Sequence, residues 1–308
     1  MNTDTSSGVA DAGSQRILLI GGCGYIGTYL YQRLERSGFK VTVVDLLRRG
    51  NPLGVDVIQR DYSELEESFL KQFDAVLWFG GHSSVGESMK DPDGAVANNC
   101  LNLFSFAKRL PTTTKLIYAS SGSLYSTKAP IYAPASESSL ASIPSQNAYD
   151  ISKFAFDYLA KSFLTNFYAL RMGTLSGYSP NLRPELVFNA MNLAAVRTGR
   201  VHLKNSDSYR TILFLSDLWA LVRKLLLTQQ QPGVYNAGSL SFKMGELAHG
   251  VASTWNAQVI YEGDSETYSF MLDTTKMKAI CGHDLAPADL QQRCREFIDQ
   301  YDTGRTAQ

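Results

Sequence analysis

The chain has 308 residues, and its 29 lysines and arginines balance 29 aspartates and glutamates, so no net field draws it to nucleic acid or to an anionic membrane. Its length excludes a peptide-scale scaffold and suits one large α/β domain or two smaller interlocked ones. Four cysteines, Cys23, Cys100, Cys281 and Cys294, show neither zinc-ligand spacing nor a dense disulfide framework, so no metal site is expected and inert or buried thiols are.

Residues 1–15 are rich in Ser, Thr, Asp and Gly and lack an apolar signal core, so they read as a disordered leader. No later run approaches the ~20 apolar residues of a membrane span. The expectation is a soluble cytoplasmic protein.

Residues 16–20 are a short apolar run, followed at once by Gly21-Gly22-Cys23-Gly24-Tyr25-Ile26-Gly27 and a helical pattern to Arg36. That order is strand, glycine turn, helix. Gly21, Gly24 and Gly27 permit a tight turn, close approach of a pyrophosphate and close packing of helix on strand. The helix start, with Tyr25 and Ile26, turns its N–H groups to the anion. Residues 40–44 are a second buried strand ending in Asp45, at the spacing of about 20 residues expected for an acid that binds an adenosine ribose. Such an acid repels a 2′-phosphate, which favours NAD over NADP. Arg48 and Arg49 beyond it read either as a phosphate clamp or as solvated loop residues.

Residues 55–59 read as a third strand. Asp61 and Tyr62 follow where an adenine edge would lie, and Asp61 reads equally well as the N-terminal signal of a helix. Residues 73–79 are a fourth buried strand ending in Phe79, and Gly80 and Gly81 let a cofactor approach the backbone. Residues 83–92 then read as a loop, and residues 94–110 as a helix containing Asn98 and Asn99.

Residues 115–119 form a fifth strand that runs into Ser120-Ser121-Gly122-Ser123-Leu124-Tyr125. A serine just beyond a strand's carboxyl end sits where open parallel sheets bind ligands, which makes Ser121 a site candidate. Residues 126–146 are Ser-, Ala- and Pro-rich and too long for an ordinary connection, so they read as a flap over a cleft.

Tyr149-Asp150-Ile151-Ser152-Lys153 opens the next helix. Positions i and i+4 share a helix face, so the Tyr149 phenol and the Lys153 ammonium can point into one cleft. Moving a tyrosine pKa of about 10 down by ~3 units requires roughly 4 kcal/mol of phenolate stabilisation, and a nearby lysine cation supplies much of it. The apolar residues Phe154, Phe156, Tyr158, Leu159 and Phe163 cover more than one narrow stripe. One side belongs against the sheet, and the other lies either against a second subunit or in the chain's own core.

Residues 167–172 are another strand, and strands alternating with helices predict a Rossmann-type, doubly wound parallel sheet. Beyond it come a loop at 173–180, a helix at 185–198, a short strand at 201–203 and a helix at 217–228. A strand near Val234, a helix at 244–253, a strand near Val259 and helices to Tyr301 complete a smaller mixed C-terminal lobe. The expected division is 16–172 for cofactor and 173–308 mainly for substrate, with some segments returning to the first part. Arg183, Asn189 and Arg210 are candidates for holding a diphosphate by charge-assisted bonds.

Taken together, Gly21 to Gly27, Asp45, Asp61, Ser121, and Tyr149 with Lys153 resemble the extended short-chain dehydrogenase/reductase superfamily, in its nucleotide-sugar epimerase/dehydratase branch. The resemblance runs from Arg16 nearly to the end. His82-Ser83-Ser84-Val85-Gly86-Glu87-Ser88 with Pro92 and Asn98-Asn99 is similar to the segment after the fourth strand of UDP-galactose 4-epimerases. Leu170-Arg171-Met172-Gly173-Thr174, Tyr209-Arg210-Thr211-Ile212 with Asp217, and Tyr235-Asn236-Ala237-Gly238 are similar to later family segments.

The resemblance implies Ser121, Tyr149 and Lys153 as the catalytic set, with Tyr149 the acid/base and Lys153 holding the ribose and lowering the phenol's pKa. It implies that Ser84, Gly122, Ser123, Thr174, Arg183, Asn189 and Arg210 line the substrate side, with Arg210 on the diphosphate, and that Phe79 and Met172 lie against NAD. Dehydratases of the branch carry an Asp-Glu pair where this chain has Gly122 and Ser123, which argues against 4,6-dehydration. Thr174 stands where the epimerases carry a phosphate-binding Asn. The expected activity is NAD-dependent epimerisation of a nucleotide-diphosphate sugar through oxidation at C4. A ketoreductase of NDP-4-keto-sugars is the nearest alternative, and a non-enzymatic NAD(P) sensor is a third. Homodimerisation through the Tyr149 helix and the helix before Leu110 is implied as well.

Overall fold

The computed structural model describes residues 12–139 and 147–306. Most of the expected leader and the end of the expected flap therefore lie outside the described residues; Ala12–Ser14 forms one 3-10 turn.

Among the described residues twelve strands follow in order: β1 (Arg16–Ile20), β2 (Lys40–Val44), β3 (Val57–Ile58), β4 (Ala75–Trp78), β5 (Lys115–Ser121), β6 (Phe167–Met172), β7 (Thr174–Ser176), β8 (Arg200–Leu203), β9 (Tyr209–Phe214), β10 (Gly233–Ala237), β11 (Leu240–Lys243) and β12 (Gln258–Tyr261). Seven of them make one sheet in the order β10-β6-β5-β4-β1-β2-β3, with every neighbouring pair parallel. The strand order reverses between β1 and β4, which is where a doubly wound sheet opens a ligand crevice at its carboxyl edge.

The central strands read as unbroken apolar runs because both of their faces are covered. In β1, Ile17 and Leu19 enter one core while Leu18 and Ile20 enter the other. The first core packs under the helices Tyr25–Arg36, Leu215–Leu227 and Thr275–Cys281. The second packs under Leu103–Ala107 and Ala148–Phe163, with Phe156 and Ala160 inward. A third core, built on Phe188, Val201, Leu203, Leu247 and Phe297, belongs to the C-terminal lobe. There β9 pairs antiparallel with β11 and parallel with β7, and β12 pairs with β8.

Several expectations are corrected. Residues 83–92 contain a helix, Val85–Lys90, because the Ser84 hydroxyl accepts from the Glu87 N–H and caps it. The next helix begins earlier than expected, at Pro92, and passes through a π-helical stretch, Ala97–Asn102. Residues 173–180 contain β7, and β9 and β11 are strands the sequence reading lacked. The described part of the expected flap is pinned to the C-terminal lobe: Ala135 N–H donates to Met271 O (2.8 Å), and Asp273 N–H to Ala135 O (2.9 Å).

Beneath the carboxyl ends of β5 and β6 lies a buried polar network. Asp157 accepts from Tyr118 (3.0 Å), Ser120 (2.9 Å) and Arg171 Nε (2.8 Å), and Arg171 also donates to Tyr125 (2.5 Å). It fixes the height at which Ser121 leaves the sheet.

Candidate active site

A cleft of about 1030 Å³ runs along the carboxyl edge of the sheet and across to the C-terminal lobe. On its sheet side Gly21 has φ +78°, and a Cβ there would stand 2.6 Å from Gly80 N. One on Gly27 would stand 2.1 Å from Gly21 O, so only glycine lets this helix start lie against the turn. No side chain caps the helix Tyr25–Arg36, which leaves its first N–H groups for a ligand. Asp45 sits at the edge, accepting from Cys23 N–H (2.9 Å) and Leu47 N–H (2.7 Å). Asp61 lines the cleft and accepts from Ser63 N–H (2.8 Å), capping the 3-10 turn Tyr62–Glu64 as its helix-start reading expects. Tyr62 donates to Asn98 O (2.6 Å) and Asn98 to Gly80 O (3.3 Å), which ties the far wall to the glycine floor. Tyr25, Ile26, Phe79, Gly81 and Met172 complete this side. Arg48 and Arg49 line it too, and Arg49 is paired with Glu87 at 2.9 Å.

Ser121, Tyr149 and Lys153 meet on the cleft floor. Ser121 is the last residue of β5 rather than a loop residue beyond it, and its hydroxyl accepts from Ser123 N–H (3.2 Å). Tyr149 and Ser121 share a side-chain hydrogen bond. Burial pushes the Tyr149 phenol up to about 12; the Ser121 bond and Arg183 oppose this, and the Asp150 charge adds to it. Lys153, 4% exposed, donates to Ala119 O (2.8 Å) and lies over the Trp78 ring, 4.7 Å from its centroid. Burial pulls its pKa down to about 7, against the opposing charge of Asp157. The expectation that Lys153 lowers the phenol's pKa is not met in the protein alone. Its ammonium stands 5.8 Å from the Tyr149 ring centroid and is turned toward the strand.

On the other side Ser84, Ser123, Thr174, Arg183 and Arg210 line the cleft. Gly122 does not: its space is taken by Met172 O, Phe270 and Leu272. Asn189 does not either, because it is wholly buried, accepting from Gly177 N–H (2.9 Å) and donating to Arg183 O (3.0 Å). It shapes the turn that carries Arg183. Arg183 donates to Glu185 (2.7 Å) and Ser83 (3.3 Å). Arg210 donates to Thr267 (2.7 Å) and Tyr209 O (3.0 Å), and stacks on Tyr268 and Phe270. Burial brings its pKa down to about 10, the signature of a cation short of a counter-charge. Tyr268 and Phe270 line the cleft and were missed; two aromatics at i and i+2 in an extended stretch share a face, and that was the available signal.

Residues 17–238 match the NAD dependent epimerase/dehydratase family. The chain belongs to that family. Among its relatives is a UDP-glucose 4-epimerase of Corynebacterium glutamicum, 28% identical over 49% of this chain and 47% of the relative. The chain thus spans about half the length of that first relative. A UDP-glucose 4-epimerase of Halalkalibacterium halodurans is 27% identical over 72% of this chain and 75% of its own. Among solved structures, an NAD-dependent NDP-hexosamine 5,6-dehydratase of tunicamycin biosynthesis superposes with a TM-score of 0.80 at 21% identity, covering 94% of this chain and 98% of its own. That likeness is one of fold. NAD is the family's cofactor, and the residues here fit it: a glycine turn where a Cβ on Gly21 or Gly27 would meet backbone, an uncapped helix start, and an acid, Asp45, just past the carboxyl end of β2.

Proposed function

We propose that the protein is an NAD-dependent epimerase of a nucleotide-diphosphate sugar, acting by transient oxidation at C4 with Tyr149 as acid/base. The observation that carries this is the Tyr149–Ser121 hydrogen bond at the cleft floor, with the under-paired Arg210 guanidinium in the same cleft. NAD, when bound along the glycine floor, supplies the reversible hydride acceptor. Tyr149 Oη takes the proton of the sugar hydroxyl and later returns one to the same oxygen. Ser121 Oγ holds that oxygen in place, and Lys153 holds the ribose from beneath. Arg210, with Arg183 beside it, anchors the diphosphate by charge-assisted hydrogen bonds while leaving the sugar free to present either face. Tyr268 and Phe270 form an apolar wall for that turn.

A sensor without catalysis needs no such set, and here all three reacting side chains face one cleft. We also propose that residues 16–172 mainly serve the cofactor and 173–308 mainly the substrate. Two copies would pair through the helix Ala148–Phe163 and the helical stretch from Pro92 to Ala107, in the cytoplasm. Among the described residues no helix is long and apolar enough to cross a membrane.

The test is a panel of NDP-sugars incubated with pure protein and no added cofactor, read by chromatography and mass spectrometry. A new peak of unchanged mass is expected. Turnover only of 4-keto-sugars, and only with added NADH or NADPH, would make the protein a ketoreductase instead. In the active assay Tyr149→Phe is expected to lower kcat by ~10²–10⁴-fold while NAD binding, measured by calorimetry, stays intact.

A further inference from the structure

Trp78 ends β4 in the core that the helix Ala148–Phe163 covers, and it is wholly buried. Its indole ring runs beneath the cleft floor, with Lys153 Nζ 4.7 Å from the ring centroid. The ring's outer edge reaches Gly81, where a Cβ would stand 2.6 Å from Trp78 Cη2, and Tyr62 packs edge-on against the same ring at 5.8 Å and 80°. The indole is thus held between the helix and the glycine floor, with the ammonium over its face.

Lys153 needs such a neighbour. Burial opposes its charge, and among the described residues it forms no ion pair; Ala119 O accepts one of its N–H groups. The charge of Asp157, one turn further along the helix, favours the ammonium, but that carboxylate is spent on Tyr118, Ser120 and Arg171. An aromatic face attracts a cation through its quadrupole, and more strongly when both are out of water. It does so with no charge of its own. A carboxylate in its place would cancel the positive field that Lys153 brings to the cleft, whereas the indole leaves it whole.

We propose that Trp78 is a positioning residue that holds the Lys153 ammonium in place as a cation, its ring face standing where a counter-ion would otherwise be needed. What the charge is for rests on the proposed function, in which Lys153 holds the ribose, since a charged donor bonds a hydroxyl more strongly than a neutral one. Where the charge is held does not rest on it. Other titratable groups face Lys153 as well: Tyr149 and Asp157 from its own helix and, through Asp157, Tyr118 from β5 and Arg171 from β6. Tyr62 packs on the indole itself. None of them changes when only the electrons of the indole are altered.

The test replaces tryptophan by its ring-fluorinated forms in the full chain with NAD bound. Fluorine draws electron density from the ring face and scarcely changes its size, so the packing stays while the attraction for a cation falls. The Lys153 midpoint is followed by NMR of lysine labelled with carbon-13 at Cε, with Lys153→Met to assign the resonance. It is expected to fall step by step with the number of fluorines, by about one pH unit for the tetrafluorinated ring. Half-buried Lys115, which donates to Leu225 O and Leu226 O, is the control and is expected to stay. Trp219 and Trp255 take the label too, so the titration is repeated in Trp78→Phe, where fluorination is expected to leave Lys153 unmoved. A Lys153 midpoint indifferent to fluorination, a fall shared equally by Lys115, or a fall that persists in Trp78→Phe would each overturn the proposal. The titration uses no substrate, so its failure is distinct from that of the sugar panel.

Discussion

Lys153 carries a penalty that reveals its purpose. Its pKa is drawn from 10.5 to about 7 by burial, so between those values the unfolded chain binds a proton that the folded one does not. Stability linked to this residue therefore rises with pH across that window, and the penalty is fully present below about pH 7. Lys153→Met, which keeps the stem over Trp78, is expected to raise the Tm of the cofactor-free protein most below pH 7, with the gain fading toward pH 10. Calorimetry at a series of pH values reads this, and a gain that grew with pH would contradict it. The Tyr149–Lys153 spacing was legible in the sequence, but the direction of the ammonium was not, because Ala119 O draws it from another element. Asp150 was equally hidden: it is adjacent to Tyr149 in sequence, but its bonds to Ser123 and Asn147 are made only in the fold.

The glycine turn and the helix after it work as one element. Gly27→Ala would drive a methyl into Gly21 O and the Gly22 backbone, neither of which can swing aside, so the turn and helix must part. We expect a lower Tm and loss of NAD binding together, by calorimetry; binding retained at wild-type strength would separate the turn from the cofactor. On the opposite face, Ile151 and Tyr158 lie seven residues apart on one helix face, and they are exposed together with Met89, Leu101 and Phe163. If the proposed dimer forms, Tyr158→Glu with Ile151→Glu is expected to convert it to a monomer in light scattering, leaving far-UV dichroism unchanged; a wild-type protein that is already monomeric would overturn the proposed pairing. The buried strands were legible because a parallel sheet covered on both faces demands unbroken apolar runs, as in Ile17 to Ile20. β7 and β11 were not, because Thr174, Ser176, Ser241 and Lys243 carry little apolar signal and are extended by pairing with β9. Asn189 misled for a related reason: its residue type suits a ligand, but the turn at Gly177 takes its hydrogen bonds.

Across the whole molecule, the C-terminal helix Leu290–Thr306 is tied to the rest by a buried ion pair. Arg293 donates to Asp217 Oδ2 (2.8 Å), which also accepts from Ser239 (2.5 Å). Both partners are buried, so Arg293→Leu strands the Asp217 charge and is expected to cost about 3–5 kcal/mol in denaturant unfolding. A loss under 1 kcal/mol would show that the helix is held by Phe297 and Ile298 alone. The sheet itself has a consequence for synthesis. β10 closes the β6 edge, but residues 173–232 must be made between them. At roughly 5–20 residues per second, a nascent chain therefore displays an open, apolar β6 edge for several seconds, the kind of edge that recruits stray strands. Ribosomes that pause within that interval would lengthen the exposure, and chaperone capture of stalled chains should peak there.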